Sequence, residues 1–300
     1  MISNRAVRPW LLVGVAAMLA ACTTNPINSN VETAPKTPAK VKVGLALGGG
    51  AAKGFAHIGV IKVLEAAGIE PEIITGTSAG SVVGSLYASG MTGMQLQAKA
   101  MTLGESELTD WTLSSKGVLK GEKLQSWINA QVGNRPLEKL PKSLGVVATE
   151  LDSGRKVVFR TGNTGQAVRA SASIPNVFLP VKIGNKSYVD GGLVSPVPVS
   201  AAREMGAQFV IAVDITARPK AGKATGFFSM LDQSLNIMNG PVLAQELKQA
   251  DVVIQPKVLS IGSADFEARH QAILEGEKAA QQMLPQIRKL LQQKSLALAK

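Results

Sequence analysis

Glu72-Ile73-Ile74-Thr75-Gly76-Thr77-Ser78-Ala79-Gly80 starts as a β-prone apolar run and turns into a helical pattern that continues to Ser89. Gly76 and Gly80 lie two residues before and two after Ser78. That spacing fits a strand-to-helix turn in which small flanking residues avoid clashes and the serine is held strained and outward. Ala79 is also small. Ser78 then stands at a helix N-terminus, where the dipole favours developing negative charge. It is a candidate nucleophile. A plain helix N-cap serine between glycines is the other reading of the pentapeptide.

Upstream, Val41–Leu47 is another short β-prone run, followed by Gly48-Gly49-Gly50-Ala51-Ala52-Lys53-Gly54. Phe55–Ala67 then carries Ile58, Ile61, Val63 and Leu64 at helical spacing and stops before Gly68. Strand, loop, helix, strand, turn, helix is the alternation of an α/β fold with a mostly parallel sheet flanked by helices. Such sheets place ligands at the carboxyl ends of their strands. Both glycine motifs fall there. The loop offers backbone N–H groups that can hold an oxyanion, and its glycines let a substrate approach the main chain closely. It is not a P-loop, because Lys53 is preceded by Ala52 and followed by Gly54. Nor is it a dinucleotide fingerprint in either frame, since Lys53 or Ala51 falls where glycine is needed. A phosphate cradle of another type stays open. A nucleophile beside an oxyanion clamp implies acyl transfer, most simply ester hydrolysis.

The rest of the chain continues the alternation. Helical spacing predicts helices over Gln95–Leu103, Gly121–Val132, Thr164–Ser171 and Val199–Met205. Leu144–Thr149 and Arg155–Phe159 read as strands joined by an Asp152-Ser153-Gly154 turn. Lys186–Val189, Gln208–Val213 and Asp251–Ile254 read as further strands. Two long helical patterns, Met230–Gln249 and Asp265–Leu291, contain Pro241 and Pro285, so a kink or break is expected in each. With no repeat and no second linker, residues 41–300 are expected to form one domain.

A serine hydroxyl needs a base. The usual one is a histidine oriented by a carboxylate, and the chain has only His57 and His270. His57 follows the glycine loop at a helix start, and His270 lies in the last helix. A carboxylate acting directly is the alternative: Asp190 ends a strand and is followed by Gly191 and Gly192. An ordinary turn aspartate is the plainer reading. A Ser78–His270 triad completed by Asp190 or Asp214 is also compatible with chain order.

Taken together, Leu47–Gly59, the Gly76–Gly80 pentapeptide and Asp190-Gly191-Gly192 resemble the patatin-like phospholipase family, in its order and spacing, from about Val41 to Gln255. The resemblance implies a single three-layer α/β domain and a Ser–Asp dyad. Ser78 would be the nucleophile and Asp190 the general base, with no catalytic histidine. Amides of Gly49, Gly50 and Ala51 would form the oxyanion hole, supported by Gly48, Lys53, Gly54, Gly76, Gly80, Gly191 and Gly192. Many members carry glycine where this chain has Ala51. The clamp survives that change if the position needs no positive φ. The substrates implied are phospholipids, lysophospholipids or related acyl esters. No metal cluster is apparent and no cofactor is implied. A non-catalytic lipid-binding lipoprotein is the remaining rival.

Composition bounds the partners. Apolar residues at 45% against 18% charged predict a sizeable core. Aromatics at 4% with 30 glycines favour close helix-on-sheet packing over an all-β sandwich. The net charge of +11 suits an anionic lipid surface. No cluster of basic residues interleaved with aromatics points to nucleic acid. Arg5 and Arg8 precede an apolar run, Trp10–Ala21, of signal-peptide length and too short to span a bilayer. It ends Leu19-Ala20-Ala21-Cys22, which resembles a bacterial lipoprotein signal. Residues 1–21 are then expected to be a signal peptide and Cys22, the sole cysteine, a lipidated residue. Residues 22–40, rich in Thr, Asn, Pro and Lys, read as a flexible tether. This arrangement places the enzyme on a membrane facing the periplasm, and Thr23 after the cysteine resembles outer-membrane sorting.

Overall fold

The computed structural model describes residues 39–104, 119–218 and 227–299. The signal-peptide region, Cys22 and most of the tether lie outside the described residues. Eight strands form one sheet in the order β5-β6-β3-β2-β1-β7-β8, with β4 also paired to β3. The strands are β1 Val43–Leu47, β2 Ile73–Thr77, β3 Ser143–Glu150, β4 Lys156–Phe159, β5 Val181–Ile183, β6 Lys186–Asp190, β7 Phe209–Val213 and β8 Val252–Ile254. The central strands β3, β2, β1, β7 and β8 run parallel. β4 and β6 pair antiparallel to β3, and β5 pairs antiparallel to β6. The expected hairpin forms, with Thr149 opposite Lys156 and Val146 opposite Phe159.

Helices cover both faces, which gives three layers. We number them α1 Ala56–Ala66, α2 Ala79–Ala88, α3 Gly93–Thr102, α4 Glu122–Gln131, α5 Thr164–Ser171, α6 Val199–Glu204, α7 Phe227–Leu247 and α8 Arg269–Leu298. Alternation along the strands sorts the core. Leu45, Leu47, Ile74, Leu144, Phe209 and Ile211 join Ile58, Leu64, Leu86 and Ile273 in the large core on one face. Ala46, Ile73, Val210 and Ala212 meet Val199, Ala202 and Leu243 on the other. The second face is thin because its residues are small, so α6 lies close to the sheet. Each fully buried Leu or Phe of these cores contributes about 1.5–3 kcal/mol.

The C-terminal helix is a core element. α8 crosses α1 where two glycines face each other: a Cβ on Gly59 would lie 2.0 Å from the Ile273 carbonyl oxygen, and one on Gly276 2.0 Å from that of Ala56. Neither α7 nor α8 breaks at its proline. Pro241 and Pro285 are both exposed, so the carbonyls they leave without a donor face water rather than the core. α3 starts earlier than its apolar pattern, because Thr92 and Gln95 form a reciprocal capping box. At the other end of the chain, the Ser295 hydroxyl donates to the Ala39 carbonyl at 2.6 Å, and Lys40 pairs with Glu72 at 2.7 Å.

Candidate active site

β2 runs straight into α2, and the turn between them falls on Ser78. Its backbone sits at φ 51°, ψ −122°, a region that costs of order 1–3 kcal/mol and persists only where surrounding contacts impose it. Gly80 permits the turn to press on β1, since a Cβ there would lie 2.1 Å from the Leu47 carbonyl oxygen. The Ser78 N–H is held by the Ser171 hydroxyl at 2.9 Å, and that hydroxyl donates onward to the Val147 carbonyl at 2.5 Å. Ser171, buried at the end of α5, thus ties the strained turn to β3.

β3 also brings the carboxylate to the serine. Val147 is opposite Thr77 in the parallel pairing with β2, and the next residue, Ala148, is opposite Asp190 in the antiparallel pairing with β6. Asp190 is therefore delivered to the level of Ser78 by a strand running against the central ones. The Ser78 side chain faces the Asp190 carboxyl closely enough to oppose the upward shift of its pKa. The Gly192 N–H donates to the other side of the turn, reaching Asp190 Oδ1 at 2.7 Å. Asp190 is buried, and burial pushes its carboxyl up to about 6, against the opposing effects of the Gly192 amide and the Ser78 hydroxyl.

The glycine loop borders the same serine: a Cβ on Gly49 would come within 3.3 Å of Ser78 Cβ. The Gly48 N–H donates to the Val213 carbonyl at 3.0 Å and the Gly49 N–H to the Pro196 carbonyl at 2.9 Å. Gly49 is thereby removed from the expected set of oxyanion donors, because its N–H is already used inside the protein. The amides of Gly50 and Ala51 have no hydrogen-bond partner among the described residues. Gly50 has no room for a side chain, since a Cβ would lie 2.8 Å from Ile215 Cδ1 and 3.0 Å from its carbonyl oxygen. Ala51 does need a positive φ, at 50°, contrary to the condition set for it above. An alanine there carries a backbone strain of roughly 1–2 kcal/mol that glycine would not.

Neither histidine joins the serine. His57 is fully buried, and its Nε2 pairs with the Gly48 carbonyl at 2.8 Å. Burial lowers its pKa to about 4, although the Gly48 carbonyl and Asp214 act in the other direction. It is a neutral prop beneath the loop, donating through Nε2. His270 is exposed at the start of α8. Asp214 is committed to its own loop, accepting from Thr216 N–H at 3.0 Å, Thr216 Oγ1 at 2.6 Å, Arg218 Nη2 at 2.5 Å and Gln255 Nε2 at 3.0 Å. The expected alternative of a His270 triad is not assembled. Lys53 is buried within the short 3-10 turn Ala51–Phe55. Among the described residues no group of three His, Cys, Asp or Glu side chains is placed to hold a metal.

The result is a hydroxyl facing a buried carboxyl, beside two amides that have no partner among the described residues. Chemically, that set can deprotonate a nucleophile and receive a negative oxygen. Ser171, Pro196 and Ser195 belong to the same framework, although no pattern in the sequence marks them; only the register of β3 and the backbone contacts do.

Several known proteins are similar to this chain. The model of a family described as patatin-like phospholipase matches residues 45–203, more than half of the chain. An uncharacterized NTE family protein of Mycobacterium tuberculosis is 37% identical over 185 residues, 61% of this chain and 51% of that one. Lysophospholipase NTE1 of Coccidioides immitis is 28% identical over 258 residues, 81% of this chain but 16% of that protein. The chain thus spans about half or less of the curated relatives it matches. The crystal structure of VipD from Legionella pneumophila is similar at a TM-score of 0.47 and 15% identity, covering 84% of this chain and 68% of that one.

Proposed function

The chain belongs to the patatin-like phospholipase family, and from that premise we propose that it is a serine acyl-ester hydrolase that releases fatty acids from phospholipids, lysophospholipids or related lipid esters. Asp190 takes the Ser78 proton as Ser78 Oγ attacks the ester carbonyl carbon. The carbonyl oxygen becomes an oxyanion, held by the Gly50 and Ala51 amides; each such donor is worth about 2.7–4 kcal/mol. Collapse breaks the ester C–O bond, and the departing alcohol leaves with the proton carried by Asp190. Water then gives a proton to Asp190 and its oxygen to the acyl-serine. The fatty acid departs, and Ser78 recovers its hydrogen.

The observation that carries this reading is the meeting of Ser78, held on its strained turn, with a buried Asp190 whose carboxyl is pushed up to about 6. A base with a pKa near the working pH is well matched to moving a proton. The similarity to the lysophospholipase of Coccidioides immitis supports a lipid ester as substrate. An acylated Cys22, and the net charge of +9 left when Arg5 and Arg8 go with residues 1–21 (30 basic minus 21 acidic), would both keep the enzyme beside anionic bilayer, on the periplasmic side. The test is hydrolysis of a panel of phospholipids, lysophospholipids and short p-nitrophenyl esters. Wild type cleaves at least one class, while Ser78→Ala and Asp190→Asn lose at least about 10³-fold in kcat. Turnover by Ser78→Ala at the wild-type rate would overturn the proposal.

A further inference from the structure

Glu246 lies on α7, beyond the residues matched by the family model. It is nevertheless buried, and its carboxylate is fully engaged. Oε1 accepts from Ser195 Oγ at 2.6 Å and from Ser200 Oγ at 2.8 Å; Oε2 accepts from the Ser200 N–H at 2.7 Å. Hydrogen bonds to an ionised acceptor are roughly twice as strong as neutral ones.

Both serines belong to the segment 190–200, where the parts of the site meet. Asp190 opens it. The Ser195 N–H donates to the Gly191 carbonyl at 2.9 Å, closing the turn whose Gly192 amide holds Asp190. The Ser195 carbonyl accepts from Thr77 Oγ1 at 2.8 Å, one residue before Ser78. The Pro196 carbonyl accepts from the Gly49 N–H at 2.9 Å, next to the two unpartnered amides. The Pro198 carbonyl accepts from Thr75 Oγ1 at 2.8 Å. Pro196 and Pro198 have no N–H to give a sheet ladder, so side-chain contacts must fix this irregular backbone. On the α7 side, Glu246 supplies them.

We propose that Glu246 is a positioning residue of the Ser78–Asp190 site, clamping the 190–200 segment so that carboxylate, nucleophile strand and glycine loop keep one register. The proposal rests on the reading of Ser78 and Asp190 given above. Its consequence is electrostatic as well as steric. When Glu246 is removed, Ser195 loosens, and with it the turn that aims the Gly192 amide at Asp190. That amide favours the ionised carboxylate, so weakening it raises the Asp190 pKa further. Few charges complicate this. Lys156 reaches Glu246 only through Ser200 Oγ, at 2.8 Å, and is itself paired with Glu204 at 2.8 Å. At Asp190, burial, the Gly192 amide and the Ser78 hydroxyl are the causes of the shift among the described residues.

The test measures kcat, KM and the pH profile of kcat/KM for full-length Glu246→Ala, Glu246→Gln and Ser195→Ala on a p-nitrophenyl ester. Ser78→Ala and Asp190→Asn serve as references. Glu246→Ala is expected to lower kcat by roughly 10- to 100-fold, the scale of a misplaced reacting group, with little change in KM. It also moves the acid limb to higher pH. Glu246→Gln restores both, because the serine hydroxyls can turn to accept from the amide. Ser195→Ala, which deletes one hydroxyl and leaves the backbone contacts, shifts both in the same direction by less, and decides the matter if Glu246→Ala does not fold. An acid limb that stays at its wild-type position in these variants, while the two references are inactive, overturns the positioning role alone. Activity surviving in a reference variant overturns the reading beneath it instead.

Discussion

Asp190 is kept charged at a cost to the fold. Its folded pKa of about 6 lies above the ordinary 3.8, so the folded state holds the proton longer than the unfolded chain does. The stability this confers is present below about pH 4 and is lost as the pH rises through 6, on the order of 3 kcal/mol in all. Asp190→Asn is therefore expected to raise the thermal midpoint at pH 8 and not at pH 4, while abolishing turnover; calorimetry at the two pH values checks it. His57 works in the opposite sense. With a folded pKa of about 4, below its ordinary 6.5, its contribution is present above pH 6.5 and is lost as the pH falls toward 4. In the wild type the two slopes largely offset between pH 4 and 6, so the Asn variant should show a steeper acid-side loss than the parent. The glycine loop yields a second prediction. Gly50→Ala drives a Cβ onto Ile215, shifts the two unpartnered amides, and is expected to cost about 10²-fold in kcat with little effect on KM. Ala51→Gly relieves a positive φ and should keep activity without lowering the thermal midpoint.

At the scale of elements, the α1–α8 crossing is the most tightly constrained contact. Gly59→Ala or Gly276→Ala would place a methyl carbon 2.0 Å from a backbone oxygen, which only separation of the helices relieves. Each is expected to lower stability by about 1–3 kcal/mol, read as a drop in denaturant midpoint, with kcat little altered in the surviving folded protein. This contact also shows where the sequence is silent. Ser78 and Asp190 were legible because their neighbours are glycines at fixed offsets on strand ends. Strands with strong apolar runs, such as Phe209–Val213, were legible for the same local reason. Gly59 and Gly276 look like ordinary helix-interior glycines until the helices are placed in contact. β5 is too short, at Val181–Ile183, to carry a period, and the antiparallel direction of β6 follows from pairing rather than composition. The family resemblance implies a Gly49 oxyanion donor, and nothing local in the sequence reveals the Pro196 carbonyl that takes this amide.

For the whole molecule, a net charge of +11 should favour productive encounter with anionic bilayers. Hydrolysis of lipid in vesicles is expected to be faster at matched composition when anionic lipid is included. The advantage should shrink as salt rises from about 0.01 to 0.5 M, since the Debye length falls from about 30 Å to a few ångströms. Equal rates on neutral and anionic vesicles would remove charge from the account. The central claim is more compact: one hydroxyl and one carboxylate, brought together across β3, perform the chemistry without an imidazole. It is tested most directly by the rate at which a fluorophosphonate labels the intact protein, followed by mass spectrometry across pH 4 to 9. The account predicts a single adduct on Ser78 whose rate rises through about pH 6 in wild type and in His270→Ala, and collapses in Asp190→Asn. An adduct on another residue, or undiminished labelling of Ser78 in Asp190→Asn, would contradict it.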